Sequence, residues 1–395
     1  MSLPNSQTRV GFVGSGFIAK GIAFECQRQG YTEGPILTRR NRDSIEAWPT
    51  DHPFTDSVDA LIEGSDLIVE CSGDVIHATR VIEQVLAAGR PVVTMNAEFH
   101  VTTGSHFVGK GQLTEAEGDQ PGCLAALRRE VVAMGFEPLV YGNVKGFLNL
   151  TPEPEEMKKW SKINGISLEN TTSFTDGTKM QIEQAFVANA FGAGILQQGL
   201  RGAKSDDGIE GMLEKLDSAS KKLAAAAEAH GGPISDYAQI GGCPAVFIAA
   251  RHDEFHHPYL NYMKLGEGPY FNLVKNYHLC HIEVLKTIRE VLDRPGSVLL
   301  DNSAAPAISV AAIAKRPIAK GTEISKAVGS FDLRGEAIEI ATAPDHAPIG
   351  LLQAVRFKEA VEPDQIIQLD QVEGLDEASE SIWRSIVSKV PSPQV

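Results

Sequence analysis

The segment Gly14-Ser15-Gly16-Phe17-Ile18-Ala19 constrains the fold more than any other, because it has the G-x-G-x-x-A spacing of a dinucleotide-binding turn. An apolar run, Arg9 to Val13, precedes it, and a stretch with helical character follows, Ile18 to Arg28. Gly14 permits the tight turn, and Gly16 lets the backbone approach a pyrophosphate, which the N-terminal N–H groups of the helix receive. The predicted cofactor-binding residues of this turn are Gly14, Ser15, Gly16, Phe17 and Ile18.

The end of the second predicted strand indicates which dinucleotide is preferred. The apolar residues 35 to 37 are followed by Thr38, Arg39 and Arg40, about 25 residues beyond the first glycine of the turn. NAD sites usually carry an acid at this point to hold the ribose 2′-hydroxyl, whereas an arginine favours the 2′-phosphate of NADP. No acid precedes Asp43, so Arg39 and Arg40 predict an NADP(H) cofactor. The alternative is that both arginines are solvated loop charges.

Two more strands, with a helix between them, extend the predicted sheet. Residues 66 to 71 and 91 to 94 indicate the strands, and the apolar residues from 78 to 86 recur at helical spacing. This alternation implies a parallel sheet, in which ligands bind beyond the carboxyl ends of the strands. Four residues follow these ends and are predicted to lie near the nicotinamide: Ser72, Gly73, Asn96 and Glu98. For Asn96 and Glu98 the alternative is an ordinary polar loop in which Asn96 caps a turn.

The overall composition restricts the compartment and the partners. With 395 residues the chain is long enough for two or three domains. Its formal net charge of −15 argues against non-specific binding of nucleic acid, which needs a dense lysine and arginine surface. No apolar run approaches the ~20 residues of a membrane helix. We therefore expect a soluble, cytoplasmic protein that binds a small-molecule substrate, and neither nucleic acid nor membrane.

The cysteines give no sign of a metal or disulfide framework. They are Cys26, Cys71, Cys123, Cys243 and Cys280, an odd number with no CxxC pair. Neither a zinc knuckle nor a set of disulfides is indicated by this spacing. Scattered free thiols are typical of proteins from a reducing cytoplasm.

A second group of candidate residues lies in the middle of the chain. Asp176 can cap a helix on which Lys179 and Glu183 are one turn apart on the same face. A lysine beside carboxylates on a rigid element can donate a proton to a developing alkoxide or hold its charge. Lys145, which follows a predicted strand, is the second such lysine. The alternatives are a capping aspartate with a solvated Lys–Glu pair and, for Lys145, a simple turn residue.

With these residues assembled, the chain resembles the homoserine-dehydrogenase-like oxidoreductases that carry a C-terminal SAF domain, over nearly its whole length. Each matching motif is short, and their order and combination make the resemblance specific. The motifs are Gly14–Ala19, Met95–Glu98, Gly118–Gly122, Asp176–Lys179 with Glu183, Ala188–Ala190, Gly268–Tyr270, Asn276–Leu279 and Ala314–Thr322. The last of them looks like the opening of an SAF β-clip module.

The resemblance implies an NAD(P)-dependent dehydrogenase or reductase. One branch of the family is a deoxyxylulose-phosphate-reductoisomerase-like enzyme that makes methylerythritol phosphate with NADPH and a divalent metal. The lysine that homoserine dehydrogenases carry after the nicotinamide strand is absent here, with Glu98 nearby instead, which disfavours homoserine as the substrate. Residues 148 to 169 look shortened relative to the family, so the substrate is expected to differ from that of other members.

The expected architecture is α/β with three domains. An N-terminal Rossmann domain with a doubly wound parallel sheet is predicted over residues 1–142, an α+β catalytic and dimerisation domain over 143–304, and a β-rich SAF-like domain over 305–395. Lys179, and after it Lys145, is expected to face the reacting oxygen. Four acids would orient these lysines, bind hydroxyl groups or hold a metal: Asp176, Glu183, Asp119 and Glu98.

The predicted activity is hydride transfer between NADP(H) and a carbonyl or hydroxyl carbon of a small polar substrate, such as a phosphorylated sugar derivative. A homo-oligomer is expected. One alternative is the reductoisomerase, which would add Mg²⁺ or Mn²⁺, although the sequence designates no metal ligands. The other is a sensor that binds NADPH without turnover.

Overall fold

The computed structural model describes residues 7–45, 48–241 and 244–390. The chain forms two compact units, one of Met1–Ala126 with His278–Ala304 and the other of Leu127–Tyr277 with Ala305–Val395. Each unit is therefore built from two separate stretches of sequence. Cys243 lies outside the described residues. Within the described part of the chain, no helix has the length and apolar character needed to cross a bilayer.

The helices and strands are numbered here in chain order. The strands are β1 (Arg9–Val13), β2 (Thr32–Leu37), β3 (Phe54–Thr55), β4 (Leu67–Glu70), β5 (Val92–Thr94), β6 (Leu113–Glu115), β7 (Glu137–Lys145), β8 (Ile234–Gln239), β9 (Val246–Arg251), β10 (Phe271–Lys275), β11 (Ile308–Ala314), β12 (Glu323–Lys326), β13 (Leu333–Glu339), β14 (Gln353–Phe357) and β15 (Val372–Glu373). The helices are α1 (Phe17–Arg28), α2 (Val58–Glu63), α3 (Val75–Ala87), α4 (Ala97–Thr102), α5 (Gln120–Ala133), α6 (Pro154–Asn164), α7 (Leu168–Thr175), α8 (Thr178–Phe191), α9 (Met212–His230), α10 (His257–Tyr262), α11 (Cys280–Asp293) and α12 (Glu377–Val387).

The first unit is built on a six-stranded sheet with the order β3-β2-β1-β4-β5-β6. Every neighbouring pair is parallel, and the chain order reverses between β1 and β4. This is the doubly wound topology, so the predicted α/β fold class is confirmed. The pairing register places the last residues of five strands in one row at the carboxyl edge: Leu37, Val13, Glu70, Thr94 and Glu115.

Both faces of this sheet are covered, as a parallel sheet requires. Phe12 and Val69 are buried in the core that α1 and α11 close, whereas Val13 and Ile68 are buried in the core that α3 closes. Helix α3 begins where the Asp74 carboxylate accepts a hydrogen bond of 3.0 Å from the backbone N–H of His77. Successive side chains of β1 and β4 therefore alternate between two apolar layers, which holds the strand ends in register.

The second unit contains a four-stranded sheet with the order β10-β9-β7-β8. Strands β7 and β8 are parallel, whereas β9 pairs antiparallel with both β7 and β10. Helix α9 covers one face, where Leu216 and Leu223 share a buried core with Val140 and Phe247. Strand β7 lies between β9 and β8 in this sheet. Its last residue, Lys145, is paired with strand β8.

The C-terminal strands form two small antiparallel sheets, β11-β13 and β12-β14-β15. Buried polar side chains of α8 hydrogen-bond to their backbone. The hydroxyl of Thr178 accepts from the N–H of Gly335 at 2.9 Å, and Asn189 Oδ1 accepts from the N–H of Ile308 at 2.9 Å. The C-terminal strands are therefore part of the same compact unit as α8. The separate SAF-like domain over residues 305–395 stays a prediction.

Candidate active site

The glycine-rich turn lies at the switch point of the first unit's sheet. Gly14 has a φ of 105°, and a Cβ atom there would come within 3.0 Å of the Ser72 Cα atom. Its N–H donates to the carbonyl of Leu37 at 2.9 Å, so both neighbouring strand ends touch it. Only glycine combines this backbone conformation with such a close approach. The tight turn that the sequence predicted is therefore present.

Gly16 is the residue at which α1 begins, and it differs from Gly14 in having free space beside it. No heavy atom of the protein lies within 4 Å of the position that a Cβ would take. The first turn of α1 contains no acidic residue, and its cap makes no side-chain hydrogen bond. The first N–H groups of an α-helix have no partner within the helix and carry positive potential. The space beside Gly16 and these donors fit the pyrophosphate of a dinucleotide.

The three side chains of the turn differ in their burial and contacts. Ser15 is buried, and its hydroxyl is 2.9 Å from that of Thr38 at the end of β2. Phe17 is largely exposed, with its ring centroid 4.9 Å from that of His281 on α11. Ile18 is partly buried and packs on the apolar core beneath α1. The turn therefore offers backbone groups, rather than charged side chains, to a ligand.

Arg39 and Arg40 are both exposed beyond the end of β2. The Arg39 guanidinium is 2.5 Å from the carboxylate of Asp74, in a pair whose side chains are 66% and 18% exposed. The backbone N–H of Arg40 donates to the hydroxyl of Thr38 at 3.2 Å. Two arginines therefore lie beside the glycine-rich turn. The charge of Arg39 is compensated by Asp74, a partner that was not predicted from the sequence.

Glu70 joins two of the predicted cofactor loops. Its Oε1 atom accepts from the backbone N–H of Ser72 at 2.8 Å and from the Ser72 hydroxyl at 2.5 Å, and its Oε2 atom accepts from Asn96 Nδ2 at 3.0 Å. Glu70 is fully buried, and this burial raises its pKa to about 7, against the hydrogen bonds from Ser72 and Asn96. The loops after β4 and β5 are therefore held together by one titratable side chain.

The remaining predicted cofactor residues have different surroundings. Asn96 is buried and caps α4, since its Oδ1 atom accepts from the N–H of Phe99 at 3.1 Å. Its side chain thus has the capping role that the alternative interpretation assigned to it. Glu98 is half-buried in the first turn of α4, and Gly73 has a φ of 64° just before the cap of α3. The cofactor role of these three residues stays a prediction.

The four predicted catalytic residues all lie in the second unit, and the fold brings them together. Lys145 ends β7, and Asn143 lies two residues earlier on the same face of the strand. Asn143 is buried and donates from Nδ2 to Glu183 Oε2 at 3.0 Å. The other oxygen of that carboxylate is 3.9 Å from Lys179 Nζ, one turn earlier on α8. Glu183 therefore links the end of β7 to the first turns of α8.

Asp176 lies between α7 and α8, where it is almost completely buried. Its Oδ1 atom accepts from the backbone N–H of Thr178 at 2.8 Å, and its Oδ2 atom is 2.6 Å from the Nζ atom of Lys315. Lys315 follows β11 and also donates to the carbonyl of Ser330 at 2.6 Å. Both carboxylate oxygens of Asp176 are therefore engaged by protein donors, which leaves it poorly suited to hold a metal.

The loop after Lys145 packs over the start of α8. The N–H of Asn149 donates to the carbonyl of Thr175 at 2.9 Å. Gly177 has a φ of 85°, and a Cβ there would come within 3.0 Å of the Leu148 side chain. This packing brings the ammonium of Lys145 under the influence of Asp176 as well as Glu183. Burial lowers the pKa of Lys145, and these two carboxylates oppose that effect.

Three residues of these clusters were not predicted from the sequence. Glu70 is a charged residue in an otherwise apolar strand, which is a recognisable signal of a buried functional or structural acid. Asn143 is likewise a polar residue in a buried strand, two positions before Lys145. Lys315 carries no comparable signal, because nothing near it in sequence indicates its distant partner, Asp176. Among the described residues, no group of three or more His, Cys, Asp or Glu side chains is arranged to hold a metal ion.

Two protein families match the chain. Residues 10–107 match the NAD-binding domain of homoserine dehydrogenase, and residues 118–284 match the catalytic domain of oxidoreductase DRL. The first match contains every predicted cofactor residue, and the second contains all four predicted catalytic residues. A doubly wound sheet with a glycine turn at its switch point, together with these matches, defines an NAD(P)-dependent oxidoreductase. The chain is thus similar to homoserine dehydrogenase in its NAD-binding part and to oxidoreductase DRL in its catalytic part.

The solved structures that are similar to the chain share little sequence with it. A homoserine dehydrogenase from Thiobacillus denitrificans is 13% identical, with a TM-score of 0.47, and the alignment covers 92% of this chain and 98% of that one. The UDP-N-acetylglucosamine 3-dehydrogenase GnnA from Acidithiobacillus ferrooxidans is 12% identical, with a TM-score of 0.43, over 75% of this chain and 92% of that one. No curated protein matches the sequence. The identification therefore depends on the two family matches.

Proposed function

We propose that the protein is an NADP-preferring oxidoreductase that transfers a hydride between NADP(H) and a carbonyl or hydroxyl carbon of a small, negatively charged substrate. The observation that carries this proposal is the cluster of Lys145, Lys179 and Glu183, which lies within the match to a catalytic domain. Two lysines around one carboxylate can handle both the proton and the negative charge that appear on a reacting oxygen.

The first unit would hold the cofactor through backbone donors and two arginines. The open space beside Gly16 and the first N–H groups of α1 support a pyrophosphate site. Arg40, and Arg39 once it exchanges Asp74 for a phosphate, would bind the ribose 2′-phosphate. Exposed ion pairs contribute little free energy, so a doubly charged phosphate can replace the carboxylate of Asp74 at small cost. A bound nicotinamide supplies the hydride, and the chain orients it.

Lys145 is the residue that we assign to proton transfer. A general acid or base works best when its pKa is near the operating pH, and burial moves the pKa of Lys145 in that direction from the ordinary lysine value. In reduction the ammonium would donate a proton to the forming alkoxide, and in oxidation the neutral amine would accept the proton of the hydroxyl. Lys179 would remain charged beside Glu183 and stabilise negative charge on the same oxygen.

The charge of the cluster supports an anionic substrate. When Lys145 is protonated, the three lysines of the cluster (Lys145, Lys179 and Lys315) carry three positive charges, and Asp176 and Glu183 carry two negative ones. The excess of one positive charge lies in a partly buried environment, where Coulomb energies exceed those in water. A phosphorylated or carboxylated hydroxy compound, such as a sugar phosphate, fits this balance better than a neutral alcohol.

Two measurements, made one after the other, test the proposal. Titration calorimetry of the purified full chain with NADPH and NADH should show tighter binding of NADPH. Oxidation of NADPH is then followed with a panel of phosphorylated and carboxylated aldehydes and ketones, and with their neutral counterparts as controls. We expect turnover in the anionic set and its loss in Lys145→Met. A folded protein that binds neither dinucleotide, or that reduces only neutral compounds, would contradict the proposal.

A reductoisomerase is the second candidate, since the match over residues 118–284 is to the DRL catalytic domain. Such an enzyme would rearrange the carbon skeleton of a sugar phosphate before the reduction, with Mg²⁺ or Mn²⁺ as an added requirement. Assays with deoxyxylulose phosphate, with and without a chelator, separate the two candidates. Turnover that a chelator abolishes and Mg²⁺ restores would favour the reductoisomerase, whereas metal-independent reduction of other substrates would favour the simple reductase.

A further inference from the structure

Lys315 and Asp176 form a deeply buried ion pair beside the predicted catalytic residues. The two side chains are 2% and 0% exposed, and Lys315 Nζ is 2.6 Å from Asp176 Oδ2. The same ammonium donates to the carbonyl of Ser330 at 2.6 Å, and the other carboxylate oxygen accepts from the N–H of Thr178 at 2.8 Å. Because neither charged group reaches solvent, neither can touch a substrate.

Several charged groups act on these lysines. Lys145 is acted on by Glu183 and Asp176, and Lys179 faces the same Glu183 from α8. Lys315 is acted on by Asp176 and Asp332, with Arg334 as the opposing cation. Asp176 is thus shared: it is the partner of Lys315 and also part of the surroundings of Lys145. A negative charge on Asp176 that Lys315 does not compensate therefore raises the pKa of Lys145.

We propose that Lys315 is a positioning residue that partly neutralises Asp176 and thereby limits how strongly the Asp176 carboxylate stabilises the ammonium form of Lys145. The C-terminal strands would then serve the catalytic cluster directly, although they lie beyond both family matches. This inference rests on the proposed function in one respect, namely that Lys145 is the group that transfers the proton. Its physical content, a coupling between two lysines through one carboxylate, is independent of the substrate.

A purely structural role does not require an ion pair at this place. Replacing a buried pair by apolar residues is often neutral or stabilising, whereas removing one partner strongly destabilises because it leaves an uncompensated buried charge. The hydrogen bond from Thr178 to Asp176 and the capping of the α7–α8 corner would be equally well served by asparagine, which is also a good capping residue. The charges themselves are therefore the feature that calls for a functional explanation.

The inference predicts opposite effects of the two single substitutions. Lys315→Met leaves the Asp176 carboxylate uncompensated, so the midpoint of Lys145 titration should rise by about one pH unit. Asp176→Asn leaves Lys315 without its carboxylate, so the midpoint should fall. In the double variant both charges are absent, and the midpoint should return close to the wild-type value.

The titration of Lys145 can be measured without a substrate. The full chain is labelled with ¹³C-lysine, and the lysine Cε resonances are followed by NMR as the pH is raised. The Lys145 resonance is the one missing from the spectrum of Lys145→Arg. Lys158→Arg, which changes an exposed lysine on α6, serves as the control that leaves the Lys145 midpoint unmoved. If Lys315→Met does not fold, Asp176→Asn and the double variant still test the predicted order of midpoints.

The outcomes separate this inference from the proposed function. Midpoints that rise in Lys315→Met, fall in Asp176→Asn and return in the double variant would support it. An unchanged midpoint in every variant, or a shift in the same direction in both single variants, would overturn it, even if Lys145→Met abolishes turnover. Coupled midpoints in a protein that binds no dinucleotide would instead leave the coupling standing and remove the proposed function.

Discussion

Glu70 Oε2 accepts a hydrogen bond of 3.0 Å from Asn96 Nδ2, and both side chains are fully buried at the carboxyl edge of the parallel sheet. Glu70 also accepts hydrogen bonds from Ser72 through its other oxygen, so it connects the loops after β4 and β5. Ser72 in turn lies against Gly14, since a Cβ on that glycine would come within 3.0 Å of the Ser72 Cα atom. One acid therefore ties three segments of the predicted cofactor site to one another.

The buried position of Glu70 predicts a specific pH dependence of stability. Burial raises its pKa from 4.5 to about 7, so the folded state keeps the proton over a range in which the unfolded chain loses it. The contribution of this group is fully favourable below pH 4.5 and is lost as the pH rises to about 7, by up to about 3 kcal/mol. Urea unfolding of wild type and Glu70→Gln at pH 5 and pH 8 measures it.

Wild type should lose stability between pH 5 and pH 8, whereas Glu70→Gln should not, because glutamine has no proton to lose. The free energy of unfolding of Glu70→Gln relative to wild type should therefore be higher at pH 8 than at pH 5. Asp66→Asn is a suitable control: the ion pair with Arg9 lowers the pKa of Asp66, so Asp66 stays ionised at both pH 5 and pH 8 and the difference between Asp66→Asn and wild type should not change between them. A difference between Glu70→Gln and wild type that stays constant from pH 5 to pH 8 would mean that Glu70 does not titrate as described.

We expect the arginines after β2 to make the protein bind NADPH more tightly than NADH. Removing Arg40 deletes a positive charge that would contact the 2′-phosphate and nothing else of the cofactor, so Arg40→Ala should weaken NADPH binding about tenfold or more. Binding of NADH should change less than twofold. Arg39→Ala should act in the same sense but more weakly, because Asp74 already compensates its charge. Calorimetry with both dinucleotides checks this, and equal losses for NADPH and NADH would remove the argument for NADP.

Asp74→Asn provides the converse test of the same site. Asparagine retains the capping of α3, since it is as good a capping residue as aspartate, but it frees the guanidinium of Arg39. We expect NADPH to bind severalfold more tightly and NADH to bind as in wild type, with an unchanged melting temperature. Weaker binding of NADPH in this variant would show that Asp74 itself contacts the cofactor.

The space beside Gly16 predicts a variant that folds normally but does not bind the cofactor. A methyl group at this position meets no protein atom within 4 Å, so Gly16→Ala should cost no more than about 1 kcal/mol of stability, from the less favourable helix cap. The same methyl group would occupy the approach of the pyrophosphate, and affinity for NADPH should fall at least tenfold.

Gly232→Ala is the matched control for Gly16→Ala, because a Cβ there also meets no atom within 4 Å and lies far from the glycine-rich turn in sequence. Thermal unfolding and calorimetry on both variants give the two readouts. Normal NADPH affinity in Gly16→Ala would place the pyrophosphate elsewhere.

We expect substitution of Lys179 to lower turnover without changing the affinity for NADPH. The Lys179 ammonium is 3.9 Å from Glu183 and mostly buried, and it lies in the second unit, whereas the residues assigned to the cofactor lie in the first. Lys179→Met should lower kcat about 100-fold or more on the substrate found in the panel, with the affinity for NADPH unchanged within twofold. Lys158→Met, an exposed lysine paired with Glu155, should keep wild-type rates. Normal turnover in Lys179→Met would leave Lys179 with a structural role only, as the ion-pair partner of Glu183.

Much of the first unit could be predicted from the sequence, because its signals are local. A strand, a glycine turn and a helix follow one another within 20 residues, and the side chains that pack α3 recur at helical spacing. The parallel sheet follows from the repetition of this pattern, and its confirmed topology places the predicted loops at one edge. The one-turn spacing of Lys179 and Glu183 was equally local, and the predicted helix is present.

The long-range partners of the site could not be predicted in this way. Glu70 with Asn96, Arg39 with Asp74, and Asp176 with Lys315 are separated by 26, 35 and 139 residues.

The sequence by itself determined the type and order of the elements of the first unit and the chemical classes available at the strand ends, since turns, caps and periodicity act over a few residues. Only the tertiary structure decided which charges meet. Whether Asp74 compensates an arginine or Asp176 a lysine depends on how distant strands and helices pack, and on the low dielectric that this packing creates around them.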